Sequence, residues 1–342
     1  MGNMKLKLNR IFMFCLALLA PCAVWGQSGE SRQVDYTPSE VELITNRYVD
    51  SYDSLINTFY LRRIAKHRLI SNREFDVEEF DAIPDSVLIA RLRALHTVIP
   101  MTFNKEVRAH IRFYLRYIAR RIDVMMMLSE YYRPTFEDAL SRYGVPEELK
   151  NLAIVESALN PKATSRAGAA GLWQFMKATG RQYGLEVGDE VDERYHIEKS
   201  TAAACKYLKE AYAKYGDWMT VAASYNAGQG GISKRLSDQR QKRAMDLFLV
   251  TETSRYMFRI LVAKMFFENP EAFGFHLEDE DYYPVIPAKE TVSVSGPIPN
   301  FTDFAEEHGS TYFFLKEANL WLRSDHLTNK AAKTYQVVIP AL

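Results

Sequence analysis

The chain has 342 residues, of which 47% are hydrophobic, and this is enough to build two or three packed domains. Its 43 Lys and Arg residues balance its 43 Asp and Glu residues, which excludes the strong positive charge typical of nucleic-acid-binding proteins. The seven histidines are scattered without ligand spacing, so the sequence predicts no metal site, and nothing in it calls for a cofactor.

The first 26 residues have the pattern of a secretory signal peptide. Three basic residues precede the apolar run Ile11–Ala20, and a short stretch ending at Gly26 follows it. Because a membrane-spanning helix needs about 20 apolar residues, we expect cleavage after Gly26 and an exported protein, periplasmic or in the cell envelope. Alternatively, Cys22 could carry a lipid and associate the protein with the outer membrane, although Pro21 directly before it fits poorly.

Residues 27–123 predict a helical region after a polar start. Helical patterns begin at Pro84-Asp85 and at Asn104. No separate activity is indicated here, and we expect this region to brace the domain that follows.

Glu156 lies on the apolar face of a short helix that begins near Pro146. Burial there would disfavour the charged carboxylate, and the nearby helix end at Pro161 would act in the same direction. We therefore expect Glu156 to keep its proton near neutral pH, as a general acid must. The alternative is a carboxylate at the cleft rim, paired with Arg166 or Arg181. The apolar stripe consists of Leu149, Leu152 and Ala153.

Three further motifs follow the Glu156-Ser157 pair. They are Ser165-Arg-Ala-Gly168-Ala-Ala-Gly171-Leu-Trp-Gln174-Phe-Met176, Tyr225-Asn226-Ala-Gly228 and Glu252-Thr-Ser-Arg-Tyr256. In this order the motifs resemble the lytic transglycosylases of the goose-type lysozyme superfamily, nearest to the membrane-bound lytic murein transglycosylase D group. The resemblance implies a mainly α, lysozyme-like domain, which we place at residues 124–272.

The resemblance also implies a reaction. Such enzymes cleave the β-1,4 bond between N-acetylmuramic acid and N-acetylglucosamine in the glycan strands of peptidoglycan. The sugar's own hydroxymethyl oxygen attacks, so that a 1,6-anhydromuramic end forms without water. Glu156 would act as acid and then as base, and the protein is expected to be a monomer.

The same resemblance assigns the other site residues. Tyr225 is expected to hydrogen-bond near Glu156, and Gln174 can offer both a donor and an acceptor to an acetamido group. Trp173 and Phe175 are expected to be core residues rather than sugar-stacking ones. The substrate-binding positions are Ser165, Gln174, Met176, Tyr225, Asn226 and Tyr256, and the structural positions beside the site are Ser157, Gly168, Gly171 and Glu252.

A hydrolytic muramidase on the same fold would need a second carboxylate to activate water. The candidates lie in the acidic segment 186–193, with Asp189 and Asp192 as possible bases, but we expect its side chains to be solvated or to cap a helix. A third possibility is a non-catalytic protein that only binds the cell wall.

The last part of the chain, residues 286–342, predicts a small α+β module. Alternating segments at 290–296 and 334–340 predict strands, and two short helical patterns lie between them. This β-α-α-β order resembles a LysM module. Its usual Gly-Asp-Thr start is replaced by Gly296-Pro-Ile-Pro-Asn300, so glycan binding and simple packing on the enzyme both remain open.

Overall fold

The structure is a computed structural model that describes residues 77–95, 97, 103–113, 115, 119–277, 282 and 287–341. The expected signal peptide, Cys22 and the start of the N-terminal helical region lie outside the described residues.

Three helices open the described chain and pack on the domain that follows. Pro84 has extended backbone angles and precedes the second helix, whose Leu88 and Leu92 are buried. Arg108 of the third helix donates to the carbonyl oxygens of Asp81 and Ile83, and so connects the end of the first helix to the third helix. The three helices are α1 (Val77–Ala82), α2 (Asp85–Ala94) and α3 (Lys105–Phe113).

Seven further helices form the central domain. The helix Ile197–Tyr215 ends at Gly216, as the sequence predicts. Gly216 has a left-handed φ of 64°, and its amide donates to the Tyr212 carbonyl oxygen. Asp217 then caps the next helix by accepting a hydrogen bond from the Thr220 amide. The helices are α4 (Ala119–Tyr143), α5 (Asn151–Ser157), α6 (Lys177–Gln182), α7 (Ile197–Tyr215), α8 (Trp218–Ala227), α9 (Gln229–Asp238) and α10 (Thr251–Glu268).

One hydrophobic core joins the N-terminal helices to this domain. Val107 and Ile111 of α3 lie in the same buried cluster as Trp173 and the apolar stripe of α5. Because each of these side chains is almost fully removed from water, the cluster holds α5 rigidly in the centre of the domain. No helix in the described part of the chain is long and apolar enough to cross a membrane.

The C-terminal module has the β-α-α-β order that the sequence predicts. Its two strands pair antiparallel, with Val292 opposite Val337. Asn300 and Thr311 cap the two helices by accepting hydrogen bonds from backbone amides. The elements are β1 (Ala288–Val294), α11 (Phe301–Glu307), α12 (Tyr312–Ala318) and β2 (Tyr335–Pro340). The predicted fold class, mainly α with a small C-terminal α+β module, is confirmed.

Candidate active site

Glu156 lies in the last turn of α5, at the centre of the candidate site. A 3₁₀ turn, Glu147–Lys150, precedes this helix, and Ala158 ends it with a left-handed φ of 53°. The carboxylate is half-buried and accepts a hydrogen bond of 2.6 Å from the Tyr256 hydroxyl on α10. Two residues 100 positions apart in sequence therefore meet at the carboxylate.

A buried charge network holds α10 against the start of the Glu156 segment. The Lys264 ammonium lies 3.4 Å from Glu148 and 2.6 Å from Glu268. Thr97 donates to the second oxygen of Glu148 at 2.7 Å. Since Lys264 and Glu148 are both buried, this network sets the spacing between the helix that carries Tyr256 and the helix that carries Glu156.

Tyr225 lies beside Glu156 but bonds elsewhere. Its hydroxyl donates to the carbonyl oxygen of Trp173 at 2.8 Å. Burial, and after it the charge of the Glu156 carboxylate, raise the pKa of Tyr225 well above its ordinary value. Tyr225 therefore stays protonated, and the direct hydrogen bond to Glu156 that the structure shows comes from Tyr256.

The Ser165 and Gln174 positions belong to a tight loop, residues 163–176, which we call the cleft loop. The Ser165 hydroxyl accepts from the Ala169 amide at 3.0 Å, and the Gly171 amide donates to the Ala163 carbonyl oxygen at 2.9 Å. Gln174 has a φ of 49°, which is uncommon for a residue other than glycine. Its side-chain amide nitrogen donates to the Gly171 carbonyl oxygen at 2.8 Å, so the side-chain amide oxygen is the group left to accept from a ligand.

The two glycines of the cleft loop have different reasons to be glycine. Gly168 (φ 86°) and Gly171 (φ 78°) both need left-handed backbone. A Cβ atom on Gly171 would lie 1.9 Å from the Arg194 carbonyl oxygen, whereas one on Gly168 would meet nothing within 4 Å. The close approach that requires Gly171 is therefore to a neighbouring backbone segment.

A cleft of about 530 Å³ opens beside this loop. It brings together four of the predicted substrate-binding residues: Gln174, Met176, Tyr225 and Asn226. Met176 is 44% exposed, and the rings of Tyr207 and Tyr225 meet edge to face at 5.1 Å. The other lining residues are Phe175, Thr179, Gln182, Tyr183, Tyr207, Glu210, Ala227, Gly228, Gln229 and Gly230.

The remaining predicted residues do not line this cleft. Glu156, Ser165 and Tyr256 are not among its lining residues, and Tyr256 is buried and hydrogen-bonded to Glu156. The Ser157 hydroxyl donates to the Ala153 carbonyl oxygen, as its place at a helix end predicts. Trp173 is fully buried and donates to Thr201, which confirms its core role. The backbone of Glu252 lies in the first turn of α10, and its side chain is outside the described part.

Sequence reasoning missed Glu210, the one acidic side chain among the described residues that line the cleft. It lies on α7 three positions after Tyr207, a helical spacing that places both on one face and could have revealed it. Burial and a hydrogen bond with Glu210 raise the pKa of Tyr183. Gln229 donates to the Glu210 carboxylate at 3.4 Å. Within the described residues, no three His, Cys, Asp or Glu side chains could hold a metal ion.

The expectation that the acidic segment 186–193 is solvated or helix-capping is correct for Asp192 as a cap and for the exposed Asp189, and wrong for Glu193, which is buried. Asp192 accepts from the Arg194 amide and also forms a buried ion pair with the Arg194 guanidinium. Glu186 and Glu190 accept hydrogen bonds from the C-terminal module, and Glu193 is buried. Neither Asp189 nor Asp192 lines the cleft.

Residues 134–248, which carry the cleft and Glu156, match a family model described as "Transglycosylase SLT domain". The chain contains a transglycosylase SLT domain. Residues 290–342 match the model of a "Soluble lytic transglycosylase C-terminal LysM-like domain". Both resemblances that the sequence motifs indicate are therefore confirmed.

Two curated relatives support the SLT domain. Membrane-bound lytic murein transglycosylase D of Escherichia coli (strain K12) is 32% identical over 183 residues, which cover 52% of this chain and 40% of that protein. Peptidoglycan transglycosylase gp16 of Escherichia phage T7 is 33% identical over 134 residues, covering 38% of this chain and 10% of the phage protein. The chain thus spans less than half the length of either relative.

Two solved structures align with the chain that carries the SLT domain. An inactive mutant of lytic transglycosylase Slt from Pseudomonas aeruginosa aligns over 73% of this chain and 46% of its own, with 16% identity and a TM-score of 0.38. The 70 kDa soluble lytic transglycosylase of Escherichia coli aligns over 68% and 46%, with 16% identity and a TM-score of 0.37.

Proposed function

We propose that the protein is a peptidoglycan lytic transglycosylase in which Glu156 is the general acid and base. The observation that carries this proposal is the Tyr256–Glu156 hydrogen bond of 2.6 Å, beside an aromatic-lined cleft in an SLT domain. Relatives named as lytic murein and peptidoglycan transglycosylases support the substrate class. The bond cleaved is the β-1,4 linkage between N-acetylmuramic acid and N-acetylglucosamine.

One carboxyl group is sufficient for this reaction. Glu156 gives its proton to the leaving glycosidic oxygen as the bond to the anomeric carbon breaks. The hydroxymethyl oxygen of the same muramic acid then forms a new bond to that carbon and loses its proton to the Glu156 carboxylate. The product is a 1,6-anhydromuramic end, the catalyst is restored, and no water needs to be activated.

The surrounding groups orient the acid and the sugar. The Tyr256 hydroxyl fixes one carboxylate oxygen of Glu156, so the other can face the glycosidic bond. The free amide oxygen of Gln174 is available to accept from an acetamido N–H, and Asn226 offers a further polar contact. The exposed thioether of Met176 and the Tyr207–Tyr225 pair supply apolar surface for sugar rings.

This function requires contact with the cell wall, and we propose an exported protein in the periplasm or cell envelope. The pattern of residues 1–26 supports export, and the curated relative named as membrane-bound supports an envelope location. Peptidoglycan glycan strands are the proposed partner.

Mass spectrometry of the products from purified peptidoglycan tests the proposal. We expect 1,6-anhydromuropeptides from the native protein and a loss of rate of about 10²–10⁴-fold in Glu156→Gln, the contribution typical of a general acid. Glu137→Gln, an exposed change on α4 paired with Arg133, is the matched control and should keep full rate. Binding of peptidoglycan without release of any product would contradict an enzymatic function.

The same product analysis distinguishes transglycosylation from hydrolysis. A muramidase would release reducing-end muramic acid, and its water-activating base would be Glu210, the acid that lines the cleft. We expect Glu210→Gln to leave the anhydro product unchanged. Reducing-end products that disappear in Glu210→Gln would establish the muramidase instead.

A further inference from the structure

Most hydrogen bonds between the C-terminal module and the SLT domain involve one short segment, residues 186–195, which we call the docking segment. Val191 and Leu322 form an antiparallel bridge. The Asp192 amide donates to the Trp321 carbonyl oxygen at 2.9 Å, and the Arg323 amide donates to the Glu190 carbonyl oxygen at 2.7 Å. The module thus adds its own backbone to this segment as a neighbouring strand would.

Side chains extend this contact along the docking segment. The Glu190 carboxylate accepts from the Thr328 amide at 2.7 Å, and this hydrogen bond lowers the pKa of Glu190. Glu186 accepts from Lys333 at 2.9 Å and from the Tyr335 hydroxyl at 3.0 Å. The Arg323 guanidinium lies 4.0 Å from the centre of the Tyr195 ring. These hydrogen bonds and the Arg323–Tyr195 contact together hold the docking segment against the C-terminal module.

The opposite side of the docking segment holds the cleft loop. The Arg194 guanidinium, only 4% exposed, donates to the Gly168 carbonyl oxygen at 2.7 Å and to the Phe175 carbonyl oxygen at 3.0 Å. The hydroxyls of Thr164 and Tyr195 share a hydrogen bond of 2.7 Å. The backbone of Arg194 also packs so closely on Gly171 that a Cβ atom has no room there.

We propose that Arg194 is a positioning residue for the reaction and that the C-terminal module acts on the cleft loop through it. This rests on the proposed function, because the loop carries Gln174. Arg194 bonds two carbonyl groups on either side of Gln174, whose own backbone is held in a rarely occupied conformation. Loops are the least stable parts of a domain unless they are tied down, and catalysis needs their side chains held in place. The module contacts the docking segment on the side opposite the cleft loop. It therefore belongs to the structure that supports the active site.

Arg194→Lys in the full chain tests the first half of the proposal. In Arg194, Nη1 donates to both carbonyl groups while Nε and Nη2 pair with the Asp192 carboxylate. The single nitrogen of a lysine ammonium keeps the charge but lacks the planar array of donors that makes all these bonds at once. We expect a fall in kcat of about ten-fold or more and faster amide hydrogen exchange at Ala169, Ala170 and Gly171. A second variant, Asp192→Asn with Arg194→Met, removes the buried ion pair as a unit and should behave the same way while staying folded.

Variants at the module side test the second half. Arg323→Ala and Glu190→Gln each loosen the docking segment without touching the cleft, and we expect the same faster exchange in the cleft loop with a several-fold lower kcat. The matched control is Lys162→Ala. It breaks an exposed ion pair to Glu317 that joins the same two parts of the molecule away from the docking segment. It should leave exchange and kcat unchanged.

The exchange measurement does not depend on turnover, so it separates this inference from the proposed function. An inactive native protein would reject the proposed function. The hydrogen-exchange protection of the cleft loop would still show whether the C-terminal module is coupled to that loop. If Arg194→Lys and Arg323→Ala lower the melting temperature but leave cleft-loop exchange and kcat as in the native protein, the contacts are only structural and the proposal is wrong.

Discussion

At the scale of single residues, the acid is held by a partner that its motif did not single out. The resemblance places Tyr225 near Glu156 and gives Tyr256 only as a substrate-binding residue, yet the structure shows the direct bond from the Tyr256 hydroxyl. The hydroxyl of Tyr225 is used by the Trp173 carbonyl oxygen, 52 positions away. Such a choice depends on where a distant backbone atom points, and a single sequence carries no signal for it.

The Tyr256–Glu156 bond gives a direct prediction. In Tyr256→Phe the carboxylate loses a hydrogen bond of a kind that contributes about 1.5–3 kcal/mol when one partner is charged. We expect kcat to fall by about ten-fold or more, with a smaller change in KM, because the ring remains and only the orienting hydroxyl is lost. Initial rates of anhydromuropeptide release at saturating and limiting substrate measure both.

Tyr225→Phe is the comparison for that experiment. It removes a hydroxyl from the cleft but leaves the Tyr256 bond to Glu156 intact. Equal losses of kcat in both variants, or none in Tyr256→Phe, would mean that the Tyr256 hydroxyl does not orient the acid.

At the scale of secondary-structure elements, local patterns predict most of what the structure shows. The 197–215 helix ends at the glycine that the pattern indicates, and the module's two strands follow the alternation of its sequence. The acidic segment is different, because its partners come from far along the chain. Glu190 bonds Thr328, 138 positions later, so a run that looks solvated in the sequence is a docking site in the fold.

The cleft loop offers a matched pair of glycine substitutions. Gly168→Ala adds only the cost of a left-handed alanine, about 1–2 kcal/mol. Gly171→Ala has the same backbone requirement and also a backbone clash with Arg194, so we expect a clearly larger loss of stability and of activity. Chemical denaturation of both variants measures the difference in the free energy of unfolding. If the two alanines cost the same, the close packing of Gly171 on Arg194 is not maintained in solution.

The network between α10 and the start of the Glu156 segment predicts a large stability effect. Lys264→Met leaves Glu148 buried without its cation, and breaking such a pair costs about 3–5 kcal/mol. The control is Lys234→Met, which removes an exposed ion pair with Asp238 and should cost less than about 1 kcal/mol. Urea unfolding followed by circular dichroism gives both values. A similar small loss for both lysines would show that Lys264 does not hold the two helices together.

At the scale of the whole molecule, the SLT domain and the C-terminal module share a hydrophobic core. Ala170, Val191 and Tyr195 of the SLT domain belong to the same buried cluster as Trp321 and Phe301 of the module. The sequence predicts each part separately and leaves open whether the module binds glycan or packs on the enzyme. The structure shows extensive packing, which no local pattern could reveal because it depends on the meeting of two distant surfaces.

A shared core predicts that the two parts unfold together. Trp321 is 3% exposed and stacks between His196 of the SLT domain and Tyr335 of the module, with ring centres 5.6 Å apart on each side. Trp321→Ala should therefore cost about 3–5 kcal/mol, as truncation of a buried aromatic ring does. Because the cluster spans both parts, calorimetry should show one transition in the native protein and a lower melting temperature for the whole of it in the variant.

Phe313→Ala, at a ring 49% exposed on the same module, should barely move that transition. Two transitions in the native protein, with only one shifted by Trp321→Ala, would mean that the module folds independently and that its contact with the docking segment is loose.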